Sequence, residues 1–450
     1  MKSNEHLPAA ATPARSDRRY GGKLDDDSRT NFERDRDRVL YSSAFRRLGG
    51  VTQVVDPSEG YVFHNRLTHT IKVAQVGRRL AQRVLRDQAT IAEEIGGVDP
   101  EVVEAACLIH DLGHPPFGHV AETKLDELCL GAGVKDGFEG NAQSFRVVSA
   151  LSARDESSPG LNLTRATLCA VLKYPWMRSK RAPKGFDRWT KFGAYKPHEA
   201  KDFAFARELI GADGTRSAEA ELMNFADDIT YAVGDLEDFI RARLIPVAWL
   251  RASETEQANF VRAAIDATLG NDAQEAKRMA KLASDLLKIV LARPYSGSSE
   301  DRINIRRMSS GLLDRFIQKI ELRRPNTKDP RFVSIEANAR LEIKLLQYLT
   351  RYYVIENPAL STQQYGKAKV IEQLFNIILE AATKYDFRSV RSMSLLPERC
   401  RENLRRQMRR PGLARIVADT ISSFTDAEAL VLHARLTGVR TGSILDGLPV

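Results

Sequence analysis

The stretch V-E-A-A-C-L-I-H-D-L-G-H at residues 103–114 decides the fold of this chain. Six of its first seven residues are apolar, Pro100 precedes it, and a Pro-Pro pair follows it directly. Proline is accepted in the first turn of a helix and stops a helix that runs into it. The pattern therefore predicts a buried helix over 100–113, and this helix carries His110 and Asp111 into the interior.

Helical periodicity continues on both sides of this stretch. A helix with mixed charges is predicted over 32–48, where Gly49-Gly50 ends it, and apolar residues recur at three- to four-residue spacing from 65 onward. Further helices are predicted at 118–130, 139–152, 163–173, 199–211, 217–243, 247–269, 273–292, 309–322, 333–356, 365–384, 396–407, 412–423 and 426–436. Loops are predicted at 153–160, 177–198, 295–305 and 323–331.

One short segment has the pattern of strands. V-T-Q-V-V at 51–55 and Y-V-F at 61–63 flank the turn sequence D-P-S-E-G, which predicts a small β-hairpin. The fold class is therefore all-α, with one small β-hairpin near the N-terminus.

The chain divides into three expected regions. Residues 1–28 are polar, contain two prolines, and are predicted to form a flexible N-terminal tail. Residues 29–245 hold the His-Asp doublet and are expected to form the core that carries the functional site. Residues 246–450 are predicted to be helical and to pack on that core.

The composition is that of a soluble globular protein. The 450 residues are 43% hydrophobic and 28% charged, and no run of eighteen apolar residues predicts a membrane span. The N-terminus lacks the apolar core of a secretory signal, so we expect a cytoplasmic protein. The net charge of +9 suits polyanionic partners such as nucleotides or nucleic acid, but chooses only weakly among them.

The four cysteines do not indicate a metal site or a disulfide framework. None of them forms a C-x-x-C pair, and each lies among apolar or helical neighbours. Buried free thiols are therefore expected at Cys107, Cys129, Cys169 and Cys400.

Two histidines and two aspartates form a candidate metal site. His69 lies in H-N-R-L-T-H-T, and Asp227 lies in N-F-A-D-D-I-T-Y. Together with His110 and Asp111 they can hold one octahedral divalent metal and leave positions open for water and a phosphate oxygen. These ligands suit manganese, iron, cobalt or nickel, and magnesium less well. Asp228 is the rival ligand, about 100° around the same helix.

A lone His-Asp dipeptide is a weak signal, because a buried histidine that bonds to its neighbours explains it as well. The distribution of histidines favours the metal, since five of the eight fall within 56 residues: His64, His69, His110, His114 and His119. Apolar helices rarely carry so many without a ligand or catalytic role. The site therefore predicts a metal-dependent hydrolase.

Catalytic side chains are predicted beside the metal. Glycines and prolines after the doublet place His114 and His119 on a turn, where His119 and Glu122 share one helix face. A carboxylate behind an imidazole fixes its tautomer and raises its basicity. The alternative is an exposed helix pair, worth only a few tenths of a kcal/mol.

The loop at 177–198 has two interpretations. It holds seven Lys or Arg residues interleaved with Phe186, Trp189, Phe192 and Tyr195. Basic residues among aromatics suit single-stranded nucleic acid or a nucleotide polyphosphate. The alternative is a solvated loop whose aromatic rings pack on the body of the protein.

These motifs resemble one known family. The chain is similar to the deoxyguanosine triphosphate triphosphohydrolases, the bacterial dNTPase branch of the HD superfamily. The resemblance rests on F-E-R-D-R-D-R-V-L-Y-S-S-A-F-R-R-L-G-G-V-T-Q-V (32–54), H-N-R-L-T-H-T (64–70), H-D-L-G-H-P-P-F-G-H-V-A-E (110–122), F-E-G-N-A-Q-S-F-R (138–146), K-Y-P-W (173–176) and A-D-D-I-T-Y-A-V-G-D-L-E-D (226–238).

The resemblance implies hydrolysis of dGTP, or of dNTPs in general, to the deoxynucleoside and inorganic triphosphate, with one divalent metal ion per site. Carried over by motif, the metal ligands are His69, His110, Asp111 and Asp227. The catalytic histidine is His119, with Glu122 behind it, while His114 is a further catalytic candidate from its place on the same turn. The substrate contacts are Arg66 for the α-phosphate, Lys173 and Tyr174 for the polyphosphate, and Gln53, Tyr231 and Asp235 for the sugar.

The family comparison leaves several points open. Some relatives have a histidine where this chain has Gly140, and mammalian relatives have a lysine where this chain has Asp228. The terminal phosphates must then be held otherwise, and Arg306, Arg307 and Lys367 are candidate donors. The family also implies a homo-oligomer, by analogy a hexamer, and some members need a nucleotide activator. Single-stranded DNA is a second candidate effector, because the basic loop could bind it.

Two other functions remain as alternatives. One is an HD phosphohydrolase that acts on another nucleotide phosphate ester, and the sugar-reading residues argue against it. The other is a single-stranded nucleic-acid-binding protein with a vestigial metal site, which the basic excess favours and the complete ligand set opposes.

Overall fold

The computed structural model describes residues 14–21, 27–54, 63–152, 154, 158–180, 187–211, 214–269, 273–290, 293–384, 395–406 and 412–440. These residues are mostly helical, which confirms the all-α prediction. The elements are α1 (Asn31–Leu40), α2 (Ser43–Arg47), α3 (Arg66–Glu94), α4 (Pro100–Ile109), α5 (His119–Gly131), α6 (Gly140–Arg146), α7 (Arg165–Val171), α8 (Lys196–Arg207), α9 (Ala218–Arg241), α10 (Val247–Ala252), α11 (Glu254–Leu269), α12 (Ala273–Val290), α13 (Ser299–Ile317), β1 (Ile320–Leu322), β2 (Val333–Ile335), α14 (Ala337–Thr350), α15 (Pro358–Thr383), α16 (Glu398–Arg406), α17 (Leu413–Ser422) and α18 (Asp426–Leu436).

Local sequence signals set the start of the helices that carry the site. The Asn65 side chain caps α3 by accepting from the Thr68 amide at 2.9 Å, and the Asp99 side chain caps α4 by accepting from the Glu101 amide at 2.8 Å. Such caps satisfy amides that have no partner within the helix. Pro100 occupies the first turn of α4, where its missing N–H costs nothing.

The core is built where α3, α4 and α9 pack against one another. Gly77 on α3 allows this approach, because a Cβ there would lie 2.5 Å from the Cys107 sulfur on α4. Cys107 and the other three cysteines are free and buried, as predicted. Among the described residues, no helix combines the length and apolar character needed to cross a membrane.

A second apolar core joins the C-terminal region to the first. Helix α5 packs against α15 and α17, and α15 also packs against α18. Buried charges cross the same boundary, since Arg146 on α6 bonds both to Glu199 on α8 at 2.6 Å and to Asp419 on α17 at 2.7 Å. The two halves of the chain therefore share interior side chains.

The sheet differs from the predicted hairpin. Residues 55–62 of that hairpin lie outside the described residues, and its remaining part shows an isolated antiparallel bridge between Thr52 and Asn65. The described sheet is antiparallel β1–β2, in stretches predicted to be helical. Ile320 and Leu322 are buried on one face while the residue between them is exposed, so these three residues follow a period of two.

Two other segments differ from the predictions. The predicted loop 295–305 becomes helical at Ser299, because Ser298 and Asp301 form a reciprocal capping box. Residues 14–21, predicted as part of a flexible tail, pack on the core instead. There the Arg18 guanidinium pairs with the buried Asp35 carboxylate at 2.6 Å.

Gly113 sets how closely the end of α4 approaches α6. A Cβ at this position would lie 2.1 Å from the Ser144 nitrogen and 2.3 Å from the Gly140 oxygen, both of them backbone atoms. The Gly113 amide also donates to the Ser144 hydroxyl at 2.9 Å. The turn after the His-Asp doublet therefore requires glycine.

We expect Gly113→Ala to lower the stability of the protein by about 3 kcal/mol, because backbone must move to admit the methyl group. Gly131→Ala is the control, since nothing lies within 4 Å of a Cβ there. Thermal unfolding of the two variants checks the prediction. Equal melting temperatures for Gly113→Ala and the unchanged protein would contradict it.

Candidate active site and metal centre

Three of the four predicted metal ligands converge at the point where α3, α4 and α9 meet. His69 on α3, His110 at the end of α4 and Asp227 on α9 each offer a ligand atom, and these atoms lie within 4.8 Å of one another. Asp227 Oδ1 lies 3.3 Å from His69 Nε2 and 3.5 Å from His110 Nε2. Residues 158 positions apart in the sequence are thus brought to one cluster.

The hydrogen bonding of His110 leaves the correct nitrogen available for a metal. His110 Nδ1 donates to the Cys107 carbonyl oxygen at 2.6 Å, so the lone pair lies on Nε2. This Nε2 atom is buried and has no hydrogen-bond partner among the described residues. Because buried polar atoms are rarely left without a partner, the cluster fits a divalent cation.

Asp111, the fourth predicted ligand, borders the cluster. Its Oδ2 atom lies 3.5 Å from His110 Nε2 and 2.8 Å from the Arg66 guanidinium, an ion pair without hydrogen-bond geometry. Its Oδ1 atom lies 3.0 Å from His114 Nδ1. Burial alone raises the pKa of Asp111, but the charges of Arg66, His110 and His114 outweigh it and hold the pKa well below its usual range.

Asp227, and not Asp228, faces the histidines. The second oxygen of Asp227 accepts from the Lys173 ammonium at 2.7 Å. Burial opposes the charge of Asp227, yet Lys173 and His110 hold its pKa well below the ordinary value. The Asp228 carboxylate instead accepts from Asn224 at 3.2 Å on another side of α9.

A second cluster, made of His114, His119 and Glu122, lies at the start of α5. His119 Nδ1 bonds to Glu122 Oε2 at 2.8 Å, and the rings of His114 and His119 are 5.2 Å apart. The His119 side chain is 72% exposed while that of Glu122 is 8% exposed. A buried carboxylate thus orients an imidazole whose other nitrogen is accessible to a ligand.

The buried members of this cluster carry shifted pKa values. Burial, with the nearby Arg66 charge, lowers the pKa of His114 to about 4. Burial opposes the charge of Glu122, but His119, His114 and Lys191 hold its pKa well below the ordinary value. His114 is therefore neutral and Glu122 anionic at neutral pH.

The predicted sugar-reading residues are partly buried polar groups. Gln53 Oε1 and Asp235 Oδ2 are buried and lack hydrogen-bond partners among the described residues. Burial, together with the carboxylates of Asp238 and Asp227, raises the pKa of Asp235 well above its ordinary value. Tyr231 lines a cavity of about 330 Å³. No hydrogen bond between the three predicted residues is found in the part of the chain that the structure describes.

Sequence comparison places this site in a known family. The HD domain matches residues 66–204, and the phosphohydrolase-associated domain matches residues 333–435. A deoxyguanosinetriphosphate triphosphohydrolase-like protein of Streptomyces coelicolor is 36% identical over 430 residues, which cover 91% of this chain and 93% of the relative. The protein of the same name in Geobacter metallireducens is 31% identical over 440 residues, which cover 97% of this chain and 96% of the relative. A protein of the same name in Nitrobacter hamburgensis is 40% identical over 247 residues, which cover 55% of this chain and 57% of the relative.

The chain belongs to the deoxyguanosinetriphosphate triphosphohydrolase-like family. The HD match supports a hydrolase, and the cluster of His69, His110 and Asp227 supplies groups that can bind a metal. The HD match begins at Arg66 and includes the turn that carries His119.

In this family member, the described part of the basic loop, residues 177–180 and 187–198, is partly packed on the protein. Phe192 and Tyr195 are buried, and Trp189 is held between the Arg178 guanidinium, 4.2 Å from its ring centroid, and Lys180. Phe186 lies outside the described residues. The burial of Phe192 and Tyr195 favours the second interpretation of this loop, because buried rings cannot stack on bases.

Three residues that support the site in this dGTPase-like protein were missed by the sequence prediction. Arg47 on α2 donates to the carbonyl oxygens of Leu112 and His114 at 2.9 and 2.7 Å. Lys191 pairs with Glu122 at 3.0 Å. Asp426 on α18 accepts from the Phe117 amide at 2.9 Å. Arg47 and Lys191 lie in stretches already singled out, whereas Asp426 has no sequence signal near the site.

The Asp426 carboxylate holds two segments of the site together. Besides Phe117 it binds the Thr52 amide at 3.1 Å and the Thr52 hydroxyl. Phe117 and Gly118 both have positive φ, at 67° and 65°, and His119 follows directly. A side chain from the C-terminal region therefore stabilises the strained turn that presents His119.

The predicted phosphate donors from the second half of the chain lie in different places in the structure. Lys367 lies near the site, with its ammonium 5.8 Å from the centroid of the Phe117 ring. Arg306 and Arg307 are exposed on α13, and no hydrogen bond or ion pair between them and the site is found among the described residues. Their role as phosphate donors stays a prediction.

Proposed function

We propose that this protein hydrolyses deoxynucleoside triphosphates to the deoxynucleoside and inorganic triphosphate, with a divalent metal held by His69, His110, Asp111 and Asp227. The observation that carries the proposal is the convergence of His69, His110 and Asp227 from three helices, with Asp111 beside them. The names of the full-length relatives support the substrate class.

The charges around the cluster suit a polyphosphate. Arg66 pairs with the Asp111 carboxylate, and Lys173 pairs with the Asp227 carboxylate. Two nitrogens of the buried Arg66 guanidinium have no hydrogen-bond partner in the described part of the chain. In our proposal Arg66 meets the α-phosphate, while Lys173 and Tyr174 meet the remaining phosphates. Guanidinium and ammonium groups suit this role because a triphosphate carries several negative charges.

The proposed reaction breaks the bond between the α-phosphorus and the 5′-oxygen. When bound, the metal would supply Lewis-acid chemistry that polarises a phosphoryl oxygen. A water oxygen forms the new bond to phosphorus, the 5′-oxygen leaves with the bonding electrons, and His119 transfers the proton that this oxygen requires. Glu122 holds His119 Nδ1 throughout, so that Nε2 is the working nitrogen.

Product analysis tests the proposal. The purified protein is incubated with each dNTP and Mn²⁺, Co²⁺ or Mg²⁺, and the products are separated. Intact triphosphate with the deoxynucleoside is the expected result, and chelation should abolish it. Orthophosphate or pyrophosphate as the product would instead indicate an HD phosphohydrolase acting on another phosphate ester, and no turnover with any of these metals would contradict the proposal.

We expect Gln53→Ala to reduce the preference for a 3′-hydroxyl by about tenfold, because it removes a buried hydrogen-bonding group from the proposed sugar site. The ratio of kcat/KM for a dNTP to that for its 3′-deoxy analogue measures this. Gln318→Ala, on the exposed end of α13, is the control and should keep the ratio. An unchanged ratio in Gln53→Ala would remove Gln53 from the site.

A further inference from the structure

A cationic cavity of about 400 Å³ lies between α9, β2 and α14. Its volume is within the range of small-molecule sites. Four basic side chains line it: Arg216, Arg331, Arg340 and Lys344. Neither the established family membership nor the predicted phosphate contacts account for this group.

Two of these cations have no ion-pair partner among the described residues. No ion pair within 4 Å involves Arg340 or Lys344 in the described part of the chain, whereas Arg331 pairs with Asp329 at 2.6 Å. Burial, with the charge of Arg331 close by, lowers the pKa of Arg340. Two guanidinium groups are thus held near each other, an arrangement that an anion between them would stabilise.

The acidic residues of the cavity do not neutralise it. Glu221 is committed to the backbone, where its carboxylate accepts from the amides of Phe332 and Val333 at 3.1 and 2.7 Å. Asp228 also lines the cavity, and its carboxylate accepts from Asn224. Two carboxylates therefore face four cations, and the lining keeps an excess of positive charge.

The cavity adjoins the metal centre. Arg216 Nε donates to the Lys173 carbonyl oxygen at 2.6 Å, and the Lys173 ammonium binds Asp227 of the ligand cluster. The Arg216 guanidinium also lies 5.9 Å from the centroid of the Tyr174 ring. Lys173 and Tyr174 are thus the boundary between the cavity and the proposed polyphosphate site.

We propose that this cavity binds a phosphate-bearing anion through Arg216, Arg340 and Lys344. The anion has two sources with the same chemistry. The first is the terminal part of the substrate polyphosphate, and this source rests on the proposed function. The second is a separate, free polyphosphate. Arginine and lysine suit either source, because phosphate oxygens accept several charge-assisted hydrogen bonds at once.

Direct binding tests the site without requiring turnover. Inorganic triphosphate is titrated into the full-length, metal-loaded protein by calorimetry, and the titration is repeated with Arg340→Gln, Lys344→Gln and the double variant. We expect each single change to weaken binding by about tenfold, and the double change by more. Arg293→Gln, an exposed arginine that pairs with Glu300, is the control and should bind as the unchanged protein does.

Unaltered triphosphate affinity in the folded double variant would overturn the proposal. Thermal unfolding verifies that the variants are folded, and Arg340→Lys should restore part of the affinity because it keeps the charge. If the wild-type protein hydrolyses no dNTP, the proposed function fails while the calorimetric result still decides the cavity. If turnover is normal and the double variant binds triphosphate unchanged, the cavity proposal alone fails.

Kinetics then separate the two sources of the anion. If the terminal phosphates of the substrate occupy the cavity, triphosphate competes with the dNTP and Arg340→Gln raises KM. If a separate anion occupies it, triphosphate and dNTP bind together and KM stays unchanged in the variant. Either pattern, combined with weakened binding, supports the anion site.

Discussion

His110→Ala is expected to lose bound metal and dNTP hydrolysis together, with turnover reduced by about 10³-fold or more. His110 supplies the buried Nε2 atom that faces Asp227 Oδ1 at 3.5 Å, and its Nδ1 atom is already engaged by the Cys107 carbonyl. A bound metal contributes several kcal/mol of charge stabilisation, and each 1.4 kcal/mol corresponds to about tenfold in rate. The proposed site then keeps His69, Asp111 and Asp227, and we expect these three ligands to hold a divalent ion poorly.

Metal analysis of the purified protein and release of triphosphate measure the two effects. His433→Ala, on α18 with its ring bonded to Gln373, is the matched control and should keep both metal and activity. A His110→Ala protein that retains stoichiometric metal and normal turnover would refute the ligand assignment. Metal-dependent activity in Asp227→Ala would move the carboxylate ligand to Asp228.

His119→Ala is expected to keep its metal and to lose about 10²- to 10⁴-fold in kcat, because it removes proton transfer and leaves the ligand cluster intact. The exposed ring of His119 is oriented by Glu122 at 2.8 Å and lies apart from the three ligand atoms. Glu122→Gln should lose about 10- to 100-fold, since it affects the orientation of His119 and not the proton carrier itself.

Metal content and steady-state kinetics distinguish this role from a structural one. KM should change little in His119→Ala, because the effect lies in the chemical step. Glu127→Gln, an exposed carboxylate on the same helix α5, controls for the Glu122 change and should leave kcat unaltered. Loss of metal from His119→Ala, or a normal kcat, would exclude the proposed proton-transfer role.

The C-terminal region contributes to the site by position. Asp426 binds the backbone of Phe117 and Thr52, and Arg146 ties α6 to Asp419 on α17 through buried ion pairs. Removing one partner of a buried pair leaves an uncompensated charge. The geometry of the turn that carries His119 thus depends on residues about 300 positions later in the chain.

Most helices could be predicted because their signals are local. Caps such as Asn65 and Asp99, the first-turn Pro100 and the 3.6-residue spacing of apolar side chains act within a few residues of each element. The strands β1 and β2 were missed because a three-residue apolar alternation is too short to differ from a helix turn. The Ser298 capping box was overlooked inside a stretch rich in turn residues.

The candidate ligands could be proposed from the sequence because histidine and aspartate in apolar helices are costly to bury without a partner. The sequence left Asp227 and Asp228 as rivals, since both lie on one helix and periodicity does not say which side faces α3 and α4. Only packing turns Asp227 toward His69 and His110 and leaves Asp228 facing the cationic cavity.

By itself the sequence determined that the chain is helical, that a buried helix ends in His110 and Asp111, and that the second histidine cluster follows on a glycine-rich turn. These properties depend on backbone preferences and on the spacing of apolar residues, which act over short range. Only the tertiary structure decided that Asp426 holds the Phe117 turn and that Arg216, Arg340 and Lys344 share one cavity. Such contacts join residues far apart in the chain, and they exist only once the helices have packed and the interior has excluded water.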